Sequence, residues 1–237
     1  MRTIRKLAEP QLLRELRSKS GAVFDERGLE STPMVEGGNP MLSPKAKQEL
    51  REQLWREQHG LCCYCSNGIT PTEDGMRIEH WKPLSRFPQF QLAYWNLMAA
   101  CPGGKGLPER LHHCDLSKAD KKLELNPADP QDRVGEVVHY VNGEVRSSDA
   151  AFDAELGENP DKVKVNSKRV LNLNIPFLRN NRMAAQEGFQ AALKKRGSLD
   201  REDWLRLLRK WNGEQGGTME PFSPVVVWFI QRKLNRP

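Results

Sequence analysis

Residues 61–83, LCCYCSNGITPTEDGMRIEHWKP, decide how this chain is read. Cys62 and Cys65 form a Cys-x-x-Cys knuckle, a spacing that lets two thiolates face one ion. Cys101 and Cys114 supply two more sulfurs downstream, and four thiolates make a closed tetrahedral set. A closed set leaves no open coordination position, so the expected zinc is structural and holds the fold together. Cys63 with Cys65 as a Cys-x-Cys pair is an alternative assignment; otherwise Cys63 is a buried free thiol, since cysteine also serves as a small hydrophobe. His112 or His113, beside Cys114, is an alternative to one thiolate.

Immediately before the knuckle the sequence predicts a helix. Ser43-Pro44 reads as an N-cap followed by proline at the first helical position, and Gly60 stops the helix just short of Cys62. Leu50, Leu54 and Trp55 lie on one side of it. Farther upstream, Leu12, Leu13 and Leu16 predict a short amphipathic helix over 11–19, and residues 25–43 read as a loop. Downstream, apolar residues around Asn142-Gly143 predict a two-stranded hairpin with a type I′ turn. Helices are predicted over 166–173, 175–195 and 200–211, with a last one capped by Ser223-Pro224, and residues 213–218, GEQGGT, read as a linker. The last helix is apolar nearly all round, which is the pattern of a core element. The resulting division is an N-terminal helical segment (1–60), a central core holding every cysteine (61–130), and a hairpin plus helical region (131–237), all within one compact unit.

Bulk properties narrow the class. With 38% hydrophobic and 29% charged residues in 237, the chain can bury a real core and global disorder is excluded. The net charge of +6 and a pI of about 9.1 favour polyanionic partners such as nucleic acid. The longest apolar run, 225–230, is far short of the ~20 residues that a bilayer requires. The first residues lack the apolar stretch of a signal peptide. A cytoplasmic protein without disulfides is expected, and in a reducing compartment the odd number of cysteines, 5, again points to metal.

The chemistry-bearing residues fall between and beside the cysteines: Ile78-Glu79-His80-Trp81-Lys82-Pro83, then Tyr94-Trp95-Asn96-Leu97, then His113-Cys114-Asp115-Leu116-Ser117-Lys118. This order resembles the HNH, or ββα-metal, nuclease family, whose pattern is an acidic residue and histidine closing a first strand, an asparagine near the second, and a polar residue opening a helix after a zinc cysteine. The resemblance implies an α+β fold with a zinc-stapled ββα-metal core embedded in a mainly helical domain. It implies hydrolysis of nucleic-acid phosphodiester bonds with one catalytic Mg²⁺ or Mn²⁺. Such chemistry needs a base for water and a cation to neutralise charge on the phosphate. His80 is the candidate base, and Glu79 and Asp115 are the oxygen ligands suited to a hard divalent ion. Asn96 either orients the His80 loop or coordinates the ion through its amide oxygen. Arg77 and Lys118 are candidate phosphate contacts.

Two departures from the family pattern stand out. Asp115 occupies the third position where the family commonly has histidine or asparagine, so either Asp115 or His113 reaches the metal; register favours Asp115. Twelve residues, PGGKGLPERLHH, separate Cys101 from Cys114, and Lys105 and Arg110 on this insertion either meet substrate or sit on a plain surface excursion. The opening MRTIRKLAEP and the later VLNLNIPFLRNNR extend the resemblance to the PtuB-type HNH subunits of Septu and retron-associated antiphage defence systems. That resemblance implies an effector nuclease acting on DNA or tRNA with an ABC/SMC-like ATPase (PtuA-like) partner. The competing expectations are a stand-alone restriction or homing-type DNA endonuclease, a catalytically inactive zinc-containing nucleic-acid-binding module, and an adaptor.

Overall fold

The computed structural model describes residues 1–24, 41–157 and 170–235. Among these the architecture is mixed α+β, with two separate two-stranded sheets set among helices. No helix of the described residues is long and apolar enough to cross a membrane.

α1 (Gln11–Arg17) buries Leu13 and Leu16. α2 (Pro44–Glu57) begins where the Ser43 hydroxyl accepts a hydrogen bond from the Ala46 amide, and Pro44 sits where its missing N–H costs nothing. Leu50 and Leu54 lie on its fully enclosed face. Gly60 ends the segment at φ 76°, a left-handed conformation that glycine adopts without penalty. The Gln58 side chain then ties this end to the first sheet: its oxygen accepts from the Ala99 amide at 2.7 Å, and its nitrogen donates to the Ala99 and Leu61 carbonyls, each at 2.8 Å.

β1 (Arg77–His80) pairs antiparallel with β2 (Leu97–Ala100), which sets Glu79 opposite Met98 and His80 opposite Leu97. β2 is buried throughout. Between the strands, residues 81–96 carry only two 3₁₀ turns, Pro88–Phe90 and Tyr94–Asn96. After the glycine-rich excursion comes the short α3 (Cys114–Lys118), with His113 as its N-cap residue. Asp115 therefore lies inside the first turn.

The one-turn α4 (Val134–Val137) leads into β3 (Val138–Val141), which pairs with β4 (Glu144–Ser147). Asn142 and Gly143 both have positive φ, 49° and 76°, as a type I′ turn requires. A Cβ on residue 143 would lie 2.6 Å from the Arg179 carbonyl oxygen, so glycine is demanded by space as well as by conformation. α5 (Ala150–Leu156), which the sequence pattern did not announce, is capped by Asp149 accepting from the Phe152 amide.

The helix expected over 166–173 does not exist in its described part; residues 166–169 lie outside the described residues. Residues 170–173 instead run as an irregular clamp, with Asn172 at φ 51°. The Leu171 and Leu173 amides bond to Glu155 and Leu156 carbonyls, and the Asn172 side chain donates to the His112 carbonyl at 2.7 Å. Asparagine side chains here bind distant backbone, an alternative to helix that short amide side chains readily supply.

α6 (Pro176–Lys194), α7 (Arg201–Trp211) and α8 (Ser223–Leu234) close the molecule. α7 opens with a reciprocal cap between Asp200 and Asp203. Val225, Val226 and Ile230 of α8 are buried, and Trp228 meets Tyr140 of β3 edge to face at 6.3 Å, so this helix is core as its composition suggests. Ser223 is not its cap, however: Phe222 takes the N-cap position in the left-handed region, and Ser223 is the first helical residue. Nor does the stretch 213–218 separate a unit. The Met219 amide bonds to the His59 carbonyl at 2.9 Å and the Phe222 amide to the Ser66 carbonyl at 2.7 Å, folding the connection back onto the cysteine knuckle.

Candidate active site

The four expected sulfurs meet. The ligand atoms of Cys62, Cys65, Cys101 and Cys114 all lie within 4.8 Å of one another, and all four residues are buried. The Cys62 and Cys114 sulfurs are 3.8 Å apart, and those of Cys65 and Cys101 3.7 Å. A tetrahedral ion with zinc–sulfur bonds of about 2.3 Å would separate its ligands by about 3.8 Å, so the cluster has the dimensions of such a site. The knuckle is shaped by its backbone: the Ser66 amide bonds to the Cys62 carbonyl, Ser66 sits at φ 62°, and the Asn67 amide points at the Cys65 sulfur at 3.4 Å. Burial and its sulfur neighbours raise the Cys114 thiol well above its usual range, whereas those neighbours overcome burial to lower Cys62. Sulfurs packed this closely cannot all ionise without a cation among them.

Cys63 stays outside the cluster. Its amide bonds to the Ala99 carbonyl at 2.9 Å, and burial pushes its thiol up, which leaves it inert. Neither histidine beside Cys114 joins the sulfurs among the described residues: His112 engages the Leu107 carbonyl and His113 that of Leu111.

Arg77, Glu79, His80 and Asp115 line an open cleft of about 420 Å³, together with Pro83, Leu84, Ser85 and Asp120. β1 delivers Glu79 and His80 and α3 delivers Asp115. Both histidines beside Cys114 lie outside the cleft lining, whereas Asp115 is part of it.

His80 is 3% exposed, and its Nε2 meets the Gln91 carbonyl oxygen at 2.9 Å. A carbonyl can only accept, so Nε2 carries the proton and the basic nitrogen of the neutral ring is Nδ1, itself a buried atom. Burial lowers the imidazole's pKa, with Lys118 acting in the same direction and the Gln91 carbonyl and Asp115 against it. Phe24 packs edge-on against the ring at 4.6 Å, and its amide is held by the Gln91 side chain at 2.8 Å.

Glu79 and Asp115 both line this cleft. Burial and then Asp115 push Glu79 well above the carboxylate range, while Asp115 is held below it against burial by Glu79, Arg77 and Lys118. Two carboxyls lining one cleft are oxygen donors of the kind that a hard divalent cation takes.

Lys118 corrects the sequence reading. Its side chain is 1% exposed and cannot reach a bound phosphate backbone. The ammonium instead joins Glu79 Oε1 and the His80 carbonyl, each at 2.8 Å, while the Tyr64 hydroxyl donates to the same Glu79 oxygen at 2.7 Å. Arg77, 40% exposed, pairs with Asp115. Asn96, fully buried and outside the cleft lining, ties the loop: Oδ1 accepts from the Lys82 amide at 2.7 Å, and Nδ2 donates to the Lys82 and Phe90 carbonyls. Lys105 lies exposed on the glycine-rich excursion, away from the cleft lining.

Sequence reasoning missed Tyr64, Gln91 and Phe24. Tyr64 sits within the knuckle motif itself, a detectable signal; Gln91 acts through its backbone and leaves none. No protein-family model and no curated protein sequence matches this chain.

Proposed function

We propose that this protein is a metal-dependent HNH-type endonuclease that hydrolyses nucleic-acid phosphodiester bonds. The observation that carries the reading is the convergence of Glu79, His80 and Asp115 on one cleft, built on a strand–strand–helix unit whose strand end and helix start meet at the four sulfurs. Zinc held by Cys62, Cys65, Cys101 and Cys114 would lock the end of β2 to the start of α3, and so fix the spacing of the two carboxyls. Mg²⁺ or Mn²⁺ held by Glu79 and Asp115 would supply charge neutralisation at the phosphate.

The chain's own residues account for the rest. His80 takes the proton of the attacking water at Nδ1, with the ring held by its Nε2 bond to Gln91. Asn96 fixes the backbone directly after it. Lys118 fixes the strand end from beneath, binding both Glu79 and the His80 carbonyl. Arg77 is exposed enough to leave Asp115 at small cost and meet a substrate phosphate. Lys105 extends the positive surface, and the overall charge of +6 steers polyanions toward it.

We further propose, on the dispersed segments that resemble PtuB-type subunits, that the enzyme acts in a cytoplasmic antiphage complex with an ABC/SMC-like ATPase. The test is cleavage of plasmid DNA and total tRNA in Mg²⁺ or Mn²⁺, with and without an adjacent ATPase subunit. Cleavage abolished by chelation and by Asp115→Asn supports the reading; cleavage insensitive to Asp115→Asn removes it.

A further inference from the structure

Directly after His80, the chain builds a surface that the hydrolytic reading does not use. Lys82 places its ammonium 4.5 Å from the ring centroid of Phe90, 5.4 Å from Trp95, 5.7 Å from Phe87 and 5.8 Å from Trp81. Phe90 supports Trp95 edge to face at 5.1 Å, and Trp95 is 41% exposed, a large apolar area to leave in water. Arg86 is exposed on the same loop. Residues 81–108 include no aspartate or glutamate, and among the described residues neither Lys82 nor Arg86 forms an ion pair. Pro83, Leu84 and Ser85 of the same loop line the cleft. Only Trp81 separates Lys82 from His80, so their Cα atoms are at most roughly 7 Å apart.

We infer that the Phe90–Trp95 shelf, flanked by Lys82 and Arg86, is a stacking site for an unpaired base of single-stranded nucleic acid. The inference rests on the nuclease reading for the position of the scissile phosphate in the adjoining cleft. A part-exposed indole beside cations, with no carboxylate on the loop, is complementary to a nucleobase and its phosphates together. A duplex keeps its base faces stacked on one another and cannot offer one to the shelf. The shelf therefore selects single strands, loops or frayed ends as substrate.

The experiment uses the full-length, zinc-loaded His80→Ala protein, so that binding is read without cleavage. Fluorescence anisotropy is measured with labelled oligo(dT), oligo(U) and a duplex of equal length. Adding Trp95→Ala is expected to weaken single-strand binding about 5- to 150-fold, leave duplex binding nearly unchanged, and be rescued by Trp95→Tyr. Lys82→Gln is expected to lower the salt slope of binding by about one. The oligo(dT) and oligo(U) arms separate DNA from RNA as the source of the base. Single-strand binding that is absent, indifferent to Trp95→Ala, or weakened no more than duplex binding overturns the inference. Trp95-dependent binding by a wild-type protein that cuts nothing would keep the stacking site and remove the nuclease reading; metal-dependent cutting without Trp95-dependent binding would do the reverse.

Discussion

Lys118→Met replaces a buried ammonium with an apolar side chain of similar length. In the native fold that ammonium lies between Glu79 Oε1 and the His80 carbonyl, at 2.8 Å from each, and both side chains of the ion pair are at least 97% enclosed, being 1% and 3% exposed. Removing one partner of such a pair typically costs about 3–5 kcal/mol, because the other charge is left uncompensated. Glu79 can limit the loss by taking up a proton, as burial and Asp115 already push it in that direction. The His80 carbonyl then loses its donor as well, at about 1–3 kcal/mol for an unsatisfied buried group. A total near 3 kcal/mol is expected for Lys118→Met, which for a chain of this size lowers Tm by roughly 6–12 °C. The assay is urea unfolding of zinc-loaded protein across the cycle of wild type, Lys118→Met, Glu79→Gln and the double variant. Glu79→Gln and Lys118→Met should be markedly non-additive, with a coupling energy above about 1 kcal/mol. A Lys118→Met cost below about 1 kcal/mol, or strict additivity, would refute the buried-pair account and restore Lys118 to the surface role suggested by its residue type.

Three further outcomes are expected. Cys65→Ser should abolish stoichiometric zinc, read by elemental analysis, and loosen the fold, whereas Cys63→Ser should keep the metal; equal loss from both would place Cys63 among the ligands. Arg77→Gln frees Asp115 from its partner and should tighten Mn²⁺ binding by about 2- to 5-fold in calorimetry on the His80→Ala background, the scale of a partly exposed ion pair; weaker binding would contradict the role given to Arg77. The protonated imidazole cannot act as base, and burial lowers the pKa of His80 from the ordinary 6.5, so the acidic limb of log kcat should lie below pH 6.5. A limb above that value would argue that His80 is not the titrating base.

Much of the scaffold was legible wherever a local signal suffices. Ser43-Pro44 caps α2, Asn142-Gly143 makes its hairpin, and Cys62-x-x-Cys65 makes its knuckle, because each of these geometries is set within four residues. Residues 170–173 misled because apolar residues there meet neighbours that the sequence does not show: Leu171 and Leu173 are fully buried while Asn172 reaches across to His112. α5 escaped notice because its buried side is only Phe152 and Leu156, too few for a periodic pattern. In the site, Glu79, His80 and Asp115 could be listed in advance from residue type, but the state of each depends on partners distant in sequence. Lysine is rarely buried, so nothing in the local sequence could show that Lys118 lies beneath Glu79 and not on the surface. The protonated nitrogen of His80 is fixed by a backbone carbonyl from a loop, which carries no signature of residue type at all.

The most direct test of the central claim compares wild type with His80→Ala in Mn²⁺-dependent cleavage, after both are shown to hold the same zinc and to unfold at similar denaturant concentrations. Loss of at least about 100-fold in the cleavage rate, the low end of what a positioned general base contributes, is the expected result. Equal cleavage by the two proteins would contradict the assignment of His80, and with it the active site described above.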